Sequence, residues 1–63
     1  MAIRAIVWGK EPQYGYNRLV DMIEADTQGD AENLIRDLGW AVGVKDTMRD
    51  LTVTCIEYQP VNA

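Results

Sequence analysis

The fold of this chain is decided by residues 23–40, which read IEADTQGDAENLIRDLGW. Apolar side chains recur there at the i, i+3, i+4, i+7 spacing of one helix face, namely at Ala31, Leu34, Ile35 and Leu38. Thr27 and Asp30 have the spacing of a capping box, in which the Thr27 side chain accepts a hydrogen bond from the Asp30 amide. Gly39 occupies the position where many helices end in a left-handed residue. The stretch therefore predicts a helix over residues 28–38.

Three other segments carry strand patterns. Residues 2–8 are rich in branched and aromatic side chains and are followed by a glycine. Residues 51–58 alternate regularly, and Pro60 is expected to end that strand. Residues 17–25 fit both a strand and a helical stripe. We prefer a strand, because an extended segment leads more easily into the capped helix. The remaining segments are a loop at 9–16, a short extended piece at 41–44, a polar turn at 45–50, and frayed residues 61–63.

These elements predict one α+β domain over residues 1–63, with two layers in the order β-β-α-β. The sheet is small, antiparallel or mixed, and the single helix covers one of its faces. If the ambiguous segment is helical, the order becomes β-α-α-β. No element is left to cover the other sheet face, which is predicted to carry Ile6 and Trp8 from the first strand and Ile56 and Tyr58 from the last. Such an exposed apolar patch is typical of an interaction surface.

Composition argues against several functional classes. The net charge is -4 and the isoelectric point is near 4.4, which disfavours direct binding to nucleic acid. The chain has no histidine, the usual general base and the commonest metal ligand. No metal-ligand spacing or phosphate-binding glycine pattern is present, so we expect no enzymatic activity, no metal and no cofactor. Cys55 alternates with Leu51 and Val53, which predicts a buried, unreactive thiol.

Two groups of residues are candidate binding sites. The candidate interface residues are Trp8, Tyr14, Tyr16, Ile56 and Tyr58. The candidate acidic face consists of Glu24, Asp26, Asp30, Glu32 and Asp37. That face could simply keep the protein soluble, or it could present negative charge to a partner with a basic groove. The two loop tyrosines could anchor a partner or fold over the core as a lid. Trp40 is expected to plug the end of the helix.

Localisation and partners follow from the same features. Residues 5–8 form too short an apolar run for a signal-peptide core or a membrane span, and a single cysteine fits a reducing compartment. We therefore expect a cytoplasmic protein that binds another protein, with no membrane association. We also expect a homodimer, because self-association would hide the uncovered apolar face.

The strand ending in Glu-Ala-Asp, the threonine cap and the helix opening with Asp-Ala-Glu resemble a pattern found in small phage and mobile-element proteins. In size, acidity and lack of a catalytic set, the chain resembles small phage-encoded inhibitors of host defence, including anti-CRISPR proteins. The resemblance implies a non-enzymatic binder that blocks a host protein in the host cytoplasm, and it transfers no functional residue. The alternative is an oligomeric module that binds a nucleotide or another small molecule, held by Arg4, Arg18 and the tyrosines.

Overall fold

The order of elements along the chain is β-β-α-β-β, in a computed structural model that describes residues 2–61. The elements are β1 (Ala2–Lys10), β2 (Arg18–Ala25), α1 (Gln28–Asp37), β3 (Lys45–Asp46) and β4 (Leu51–Val61). The four strands form one antiparallel sheet in the order β2-β1-β4-β3, and α1 packs on the half formed by β1 and β2. This confirms the two-layer α+β class with one helix. It excludes the β-α-α-β alternative, because the ambiguous segment forms β2.

Both ends of α1 have the structure that the sequence predicts. At the start, Thr27 Oγ1 accepts a hydrogen bond from the Asp30 amide at 3.1 Å. At the end, Gly39 has a φ of +86°, and the amides of Gly39 and Trp40 donate to carbonyls of the preceding turn at 2.9 and 3.0 Å. The Trp40 indole packs against the core and donates its Nε1–H to Asp21 Oδ2 at 3.0 Å. Trp40 therefore plugs the helix end and ties it to β2.

The core lies between α1 and the sheet. Its buried side chains are Ala5, Val7, Val20, Ala31, Ile35, Leu51 and Val53. Only part of the predicted helical stripe is buried, because Leu34 and Leu38 are 42% and 53% exposed. A single helix on a narrow sheet turns only a thin strip of its surface inward, so the flanks of the stripe stay in contact with solvent.

A β-bulge in β4 reverses the inward and outward alternation of its side chains. Trp8 is opposite Cys55, but the next residue, Gly9, is opposite Val53, so β4 has one extra residue at Thr54. Before the bulge, Leu51 and Val53 face the core, whereas Cys55 turns to the opposite face of the sheet and is half-buried. The prediction that Cys55 lies buried on the core face is wrong for this reason.

The same bulge moves the last two candidate interface residues to the helix side. Ile56 is directly opposite Val7, and Tyr58 is directly opposite Ala5. Because directly opposed residues of an antiparallel pair share a face, Ile56 and Tyr58 pack against the core cluster. The prediction that they lie on the uncovered face is therefore wrong.

Two strands are longer than the sequence pattern predicts. β1 continues through Gly9, because a glycine fits where a side chain would meet Val20 and the Thr52 carbonyl. β4 continues through Pro60, which is opposite Ile3 and has no strand of residues 2–61 on its other side. Proline is tolerated at such an edge, since no neighbouring strand needs its missing N–H.

The connection between α1 and β4 also differs from the prediction. The short strand β3 lies at Lys45–Asp46, within the predicted polar turn, and residues 41–44 are not a strand. Val61 is part of β4 rather than frayed, whereas the expected fraying of residues 62–63 lies outside the described residues.

Candidate functional site: the open sheet face

No described element covers the sheet face opposite α1, and we call this surface the open face. Side chains on directly opposed strand positions share a face, which assigns the members of the surface from the strand register. They include Arg4, Ile6 and Trp8 from β1, Leu19, Met22 and Glu24 from β2, and Cys55, Glu57 and Gln59 from β4, with Ala2, Lys10, Thr52 and Val61 at the strand ends. The open face is thus built from the three longest strands of the sheet.

The half of the open face nearest the β1–β2 loop is apolar. Leu19 and Cys55 lie on either side of Trp8, and Met22 is opposite Ile6. Leu19 is 52% exposed and Met22 is 49% exposed, while the other three side chains are half-buried. A contiguous apolar patch of this kind on a folded domain marks a surface that gains free energy on contact with another apolar surface.

The other half of the open face is polar. Arg4 Nη2 lies 3.0 Å from Glu24 Oε1, in an ion pair between adjacent strands. Gln59 Nε2 donates to Glu57 Oε2 at 3.2 Å. These groups form a polar border on one side of the apolar half, an arrangement found at many protein interfaces.

Trp8 occupies the centre of the apolar half, which confirms its predicted place on the uncovered face. Its indole Nε1 is buried and finds no acceptor within residues 2–61. The accessible part of the indole is therefore carbon, so contacts with a partner at this position are apolar. The Thr54 hydroxyl donates to Asn17 Oδ1 at 2.7 Å and also lies 3.4 Å from the Trp8 carbonyl oxygen, a long contact.

The two loop tyrosines lie close to each other and in solvent. Tyr14 and Tyr16 are 45% and 59% exposed, with ring centroids 5.5 Å apart and planes inclined by 36°. Their loop joins β1 to β2 next to the apolar half of the open face, and an ion pair between Glu11 and Arg18 closes it. Neither ring packs against the core cluster, so the lid interpretation is wrong. Both remain candidates for contact with a partner.

The structure does not bring the five acidic candidates together on one face. Glu24 lies on the open face, whereas Asp30, Glu32 and Asp37 lie on α1, and Asp26 precedes the helix. Within α1, Asp30 and Asp37 share a side because they are two turns apart, but Glu32 is rotated from Asp30 by about 200°. The negative charge is therefore distributed around the domain.

The described residues offer no enclosed site. Residues 2–61 contain no pocket, and no three or more of their Cys, Asp and Glu side chains are grouped to hold a metal ion. The small-molecule alternative uses Arg4 and Arg18 as ligand contacts, but these lie at opposite ends of the β1–β2 pair. Arg18 is opposite Gly9, five residues from Arg4, which is about 16 Å along the strand. Both are already ion-paired with glutamates.

None of the helices in the described part of the chain is long and apolar enough to cross a membrane.

Comparisons of the chain with protein-family models, with curated proteins and with solved structures found no match. The resemblance to phage-encoded inhibitors therefore stays a prediction based on residues 23–40, on size and on charge.

Sequence reasoning missed three members of the apolar half, namely Leu19, Met22 and Cys55. Leu19 is outward because β2 also contains a bulge, in which Val20 is the extra residue between the partners of Val7 and Trp8. The signal available in the sequence was Met22, which precedes the inward Ile23 and must point the other way in a strand.

Proposed function

We propose that this protein is a small non-enzymatic binding module that occupies a surface of a partner protein with its open face. The observation that carries the proposal is the exposure of Leu19 and Met22 beside Trp8 and Ile6 on a sheet face that no described element covers. Burial of apolar area at this position stabilises a complex, and a central aromatic ring is a frequent hot spot of protein interfaces.

The shape of the surface supports a protein partner over a small molecule. Small ligands bind in concave sites that enclose most of their surface. The open face is one side of a sheet, and the described residues contain no pocket. A flat apolar area with a polar border on one side is suited to another protein surface.

The partner that fits best is a host protein with a basic surface, and the module acts as a phage-type inhibitor of host defence or nucleic-acid handling. Support comes from the net charge of -4, from acidic groups on both layers of the domain, and from the resemblance carried by residues 23–40. Distributed negative charge accelerates the approach to a basic partner, while the apolar half supplies the contacts that hold the complex. Such a module acts in the cytoplasm of the host cell.

The test uses two leucines of nearly equal exposure on opposite layers. Leu19 on the open face is 52% exposed and Leu38 at the end of α1 is 53% exposed. A partner is captured from host lysate on the immobilised wild-type chain, identified by mass spectrometry and purified. Its affinity is then measured for Leu19→Lys and Leu38→Lys, after denaturation shows that both variants are folded.

We expect Leu19→Lys to weaken binding at least about fivefold, the equivalent of ~1 kcal/mol at an interface contact, and Leu38→Lys to leave it unchanged. A partner that binds both variants equally well would show that the open face is not the binding surface. A partner that loses affinity only for Leu38→Lys would assign the interaction to α1 instead.

A further inference from the structure

Both outer sides of the sheet leave strand backbone without a neighbouring strand among the described residues. β2 is unpaired along its whole outer side. β4 is unpaired beyond Val53, because β3 pairs with Leu51 and Thr52, and the Val53 backbone bonds the Val44 carbonyl and the Gly43 amide. Free strand edges of this kind are sites where another strand can add to a sheet.

The β2 edge is occupied by side chains of the chain itself. The Met22 amide donates to Asp21 Oδ1 at 2.8 Å. The Val20 carbonyl accepts a hydrogen bond from Arg49 Nη2 at 3.0 Å. An incoming strand would have to displace both bonds, so this edge is protected.

The β4 edge is open, and Pro60 fixes which backbone groups it presents. Pro60 is opposite Ile3 but has no N–H, so the two cannot be a hydrogen-bonded pair. The backbone of Pro60 must therefore point away from β1. Every second residue of a strand points the same way, which directs the N–H and C=O groups of Tyr58 and Ile56 to the free edge as well.

We propose that this edge of β4 pairs with the same edge of a second copy of the chain, in an antiparallel arrangement with Tyr58 on the two-fold axis. Residues opposite each other across an antiparallel pair lie on the same face of the sheet. The two-fold axis must therefore pass between two copies of one residue, and the choice of that residue sets the register. A centre at Glu57 would oppose two carboxylates. A centre at Ile56 would place Pro60 against Thr52, where β3 already pairs. An axis at Gln59 or at a later residue would pair fewer described residues of the two β4 strands.

The register centred on Tyr58 matches side chains on both faces of the sheet. On the helix side, the two Tyr58 rings meet, and Ile56 is opposite the second copy's Pro60. On the open side, Glu57 is opposite the second copy's Gln59, whose amide can donate to the carboxylate. Reciprocal hydrogen bonds join the two Tyr58 backbones, and each Ile56 amide reaches an opposing Pro60 carbonyl.

The resulting dimer is one continuous eight-stranded sheet with both helices on one side. Because the two-fold axis is normal to the sheet, the two open faces lie side by side on the other side and remain uncovered. This edge-to-edge dimer differs from the dimer expected from the sequence, in which self-association hides the apolar face. It also does not rest on the proposed function, since it requires no protein partner.

The first test is amide hydrogen exchange of the wild-type chain, measured by NMR from micromolar to millimolar concentration beside sedimentation equilibrium. We expect dimer formation, with protection of the Ile56 and Tyr58 amides rising with concentration and that of the Met22 amide constant. A chain that stays monomeric at millimolar concentration would overturn the proposal. So would a dimer that forms without added protection at Ile56 and Tyr58.

The second test changes the charge at the proposed cross-dimer pair. Gln59→Glu places like charges opposite each other twice, and we expect the dimer dissociation constant to rise roughly 2- to 30-fold, from two cross-strand pairs. Gln59→Lys should lower it by a similar factor. The matched control is Gln13→Glu, since Gln13 also donates to a glutamate two residues earlier and lies on the exposed 11–17 loop. Equal effects of Gln59→Glu and Gln13→Glu would refute the register.

Discussion

Replacing Gly9 with alanine tests the close approach of three strands on which the shape of the sheet depends. A Cβ at this position would lie 2.8 Å from Val20 Cγ2 and 2.9 Å from the Thr52 carbonyl oxygen. Val20 can adjust its side chain, but the Thr52 oxygen belongs to the backbone of β4. The strands must therefore separate to admit a methyl group.

The magnitude follows from the cost of overpacking a buried site, about 1–3 kcal/mol. For a domain of this size, 1 kcal/mol corresponds to a change in Tm of about 4–8 °C, so Gly9→Ala should lower Tm by roughly 4–24 °C. Chemical denaturation followed by tryptophan fluorescence measures the free energy of unfolding, and calorimetry measures Tm. The double variant Gly9→Ala with Val20→Ala should stay less stable than Val20→Ala alone, because the backbone contact with Thr52 remains.

The matched control is Gly15→Ala on the 11–17 loop. A Cβ there would meet no atom within 4 Å, and the backbone is outside the left-handed region. This variant should be neutral or more stable by about 0.4–1 kcal/mol, because alanine restricts the unfolded chain. If Gly9→Ala and Gly15→Ala unfold at the same temperature, β2 and β4 do not approach Gly9 closely enough to exclude a methyl group.

Two further predictions concern the helix cap and the Tyr58 phenol. Thr27→Ala removes the acceptor of the Asp30 amide and should cost about 1 kcal/mol, read as a loss of Tm in calorimetry, and an unchanged Tm would contradict the capping role. Burial, together with the negative charge of Glu32, raises the pKa of Tyr58 above its ordinary 10.0, so the folded state favours the neutral phenol. Stability from this group is complete below pH 10 and is lost as the pH rises through the raised pKa. Tyr58→Phe should reduce this loss of stability at alkaline pH, measured by urea unfolding at a series of pH values. Tyr16→Phe on the exposed loop is the control. An equal dependence of unfolding free energy on pH in the two variants would contradict the role of Tyr58.

The elements with strong local signals were predictable because short-range chemistry determines them. The Thr27 cap, the glycine with positive φ at the end of α1 and the apolar spacing between them each act over one or two helical turns. The β1 and β4 patterns are equally local. Trp8 was placed on the uncovered face from simple alternation, since no bulge lies in β1 itself.

The candidate site was only partly predictable, because alternation fails where a strand contains an extra residue. Val20 is the extra residue in β2, beside the Val7–Trp8 step of β1, and Thr54 is the extra residue in β4, beside the Trp8–Gly9 step. Each bulge exchanges the faces of every side chain beyond it, which placed Tyr58 on the helix side against the core and Cys55 on the open face.

The sequence by itself determined that the chain is a two-layer domain with one capped helix and therefore has one uncovered sheet face. Only the tertiary structure decided which side chains occupy that face, and where the sheet ends in a free edge. The physical reason is that an extra strand residue is accommodated through contacts between strands far apart in sequence. The packing of Val20 over Gly9 is such a contact, and no local pattern contains it.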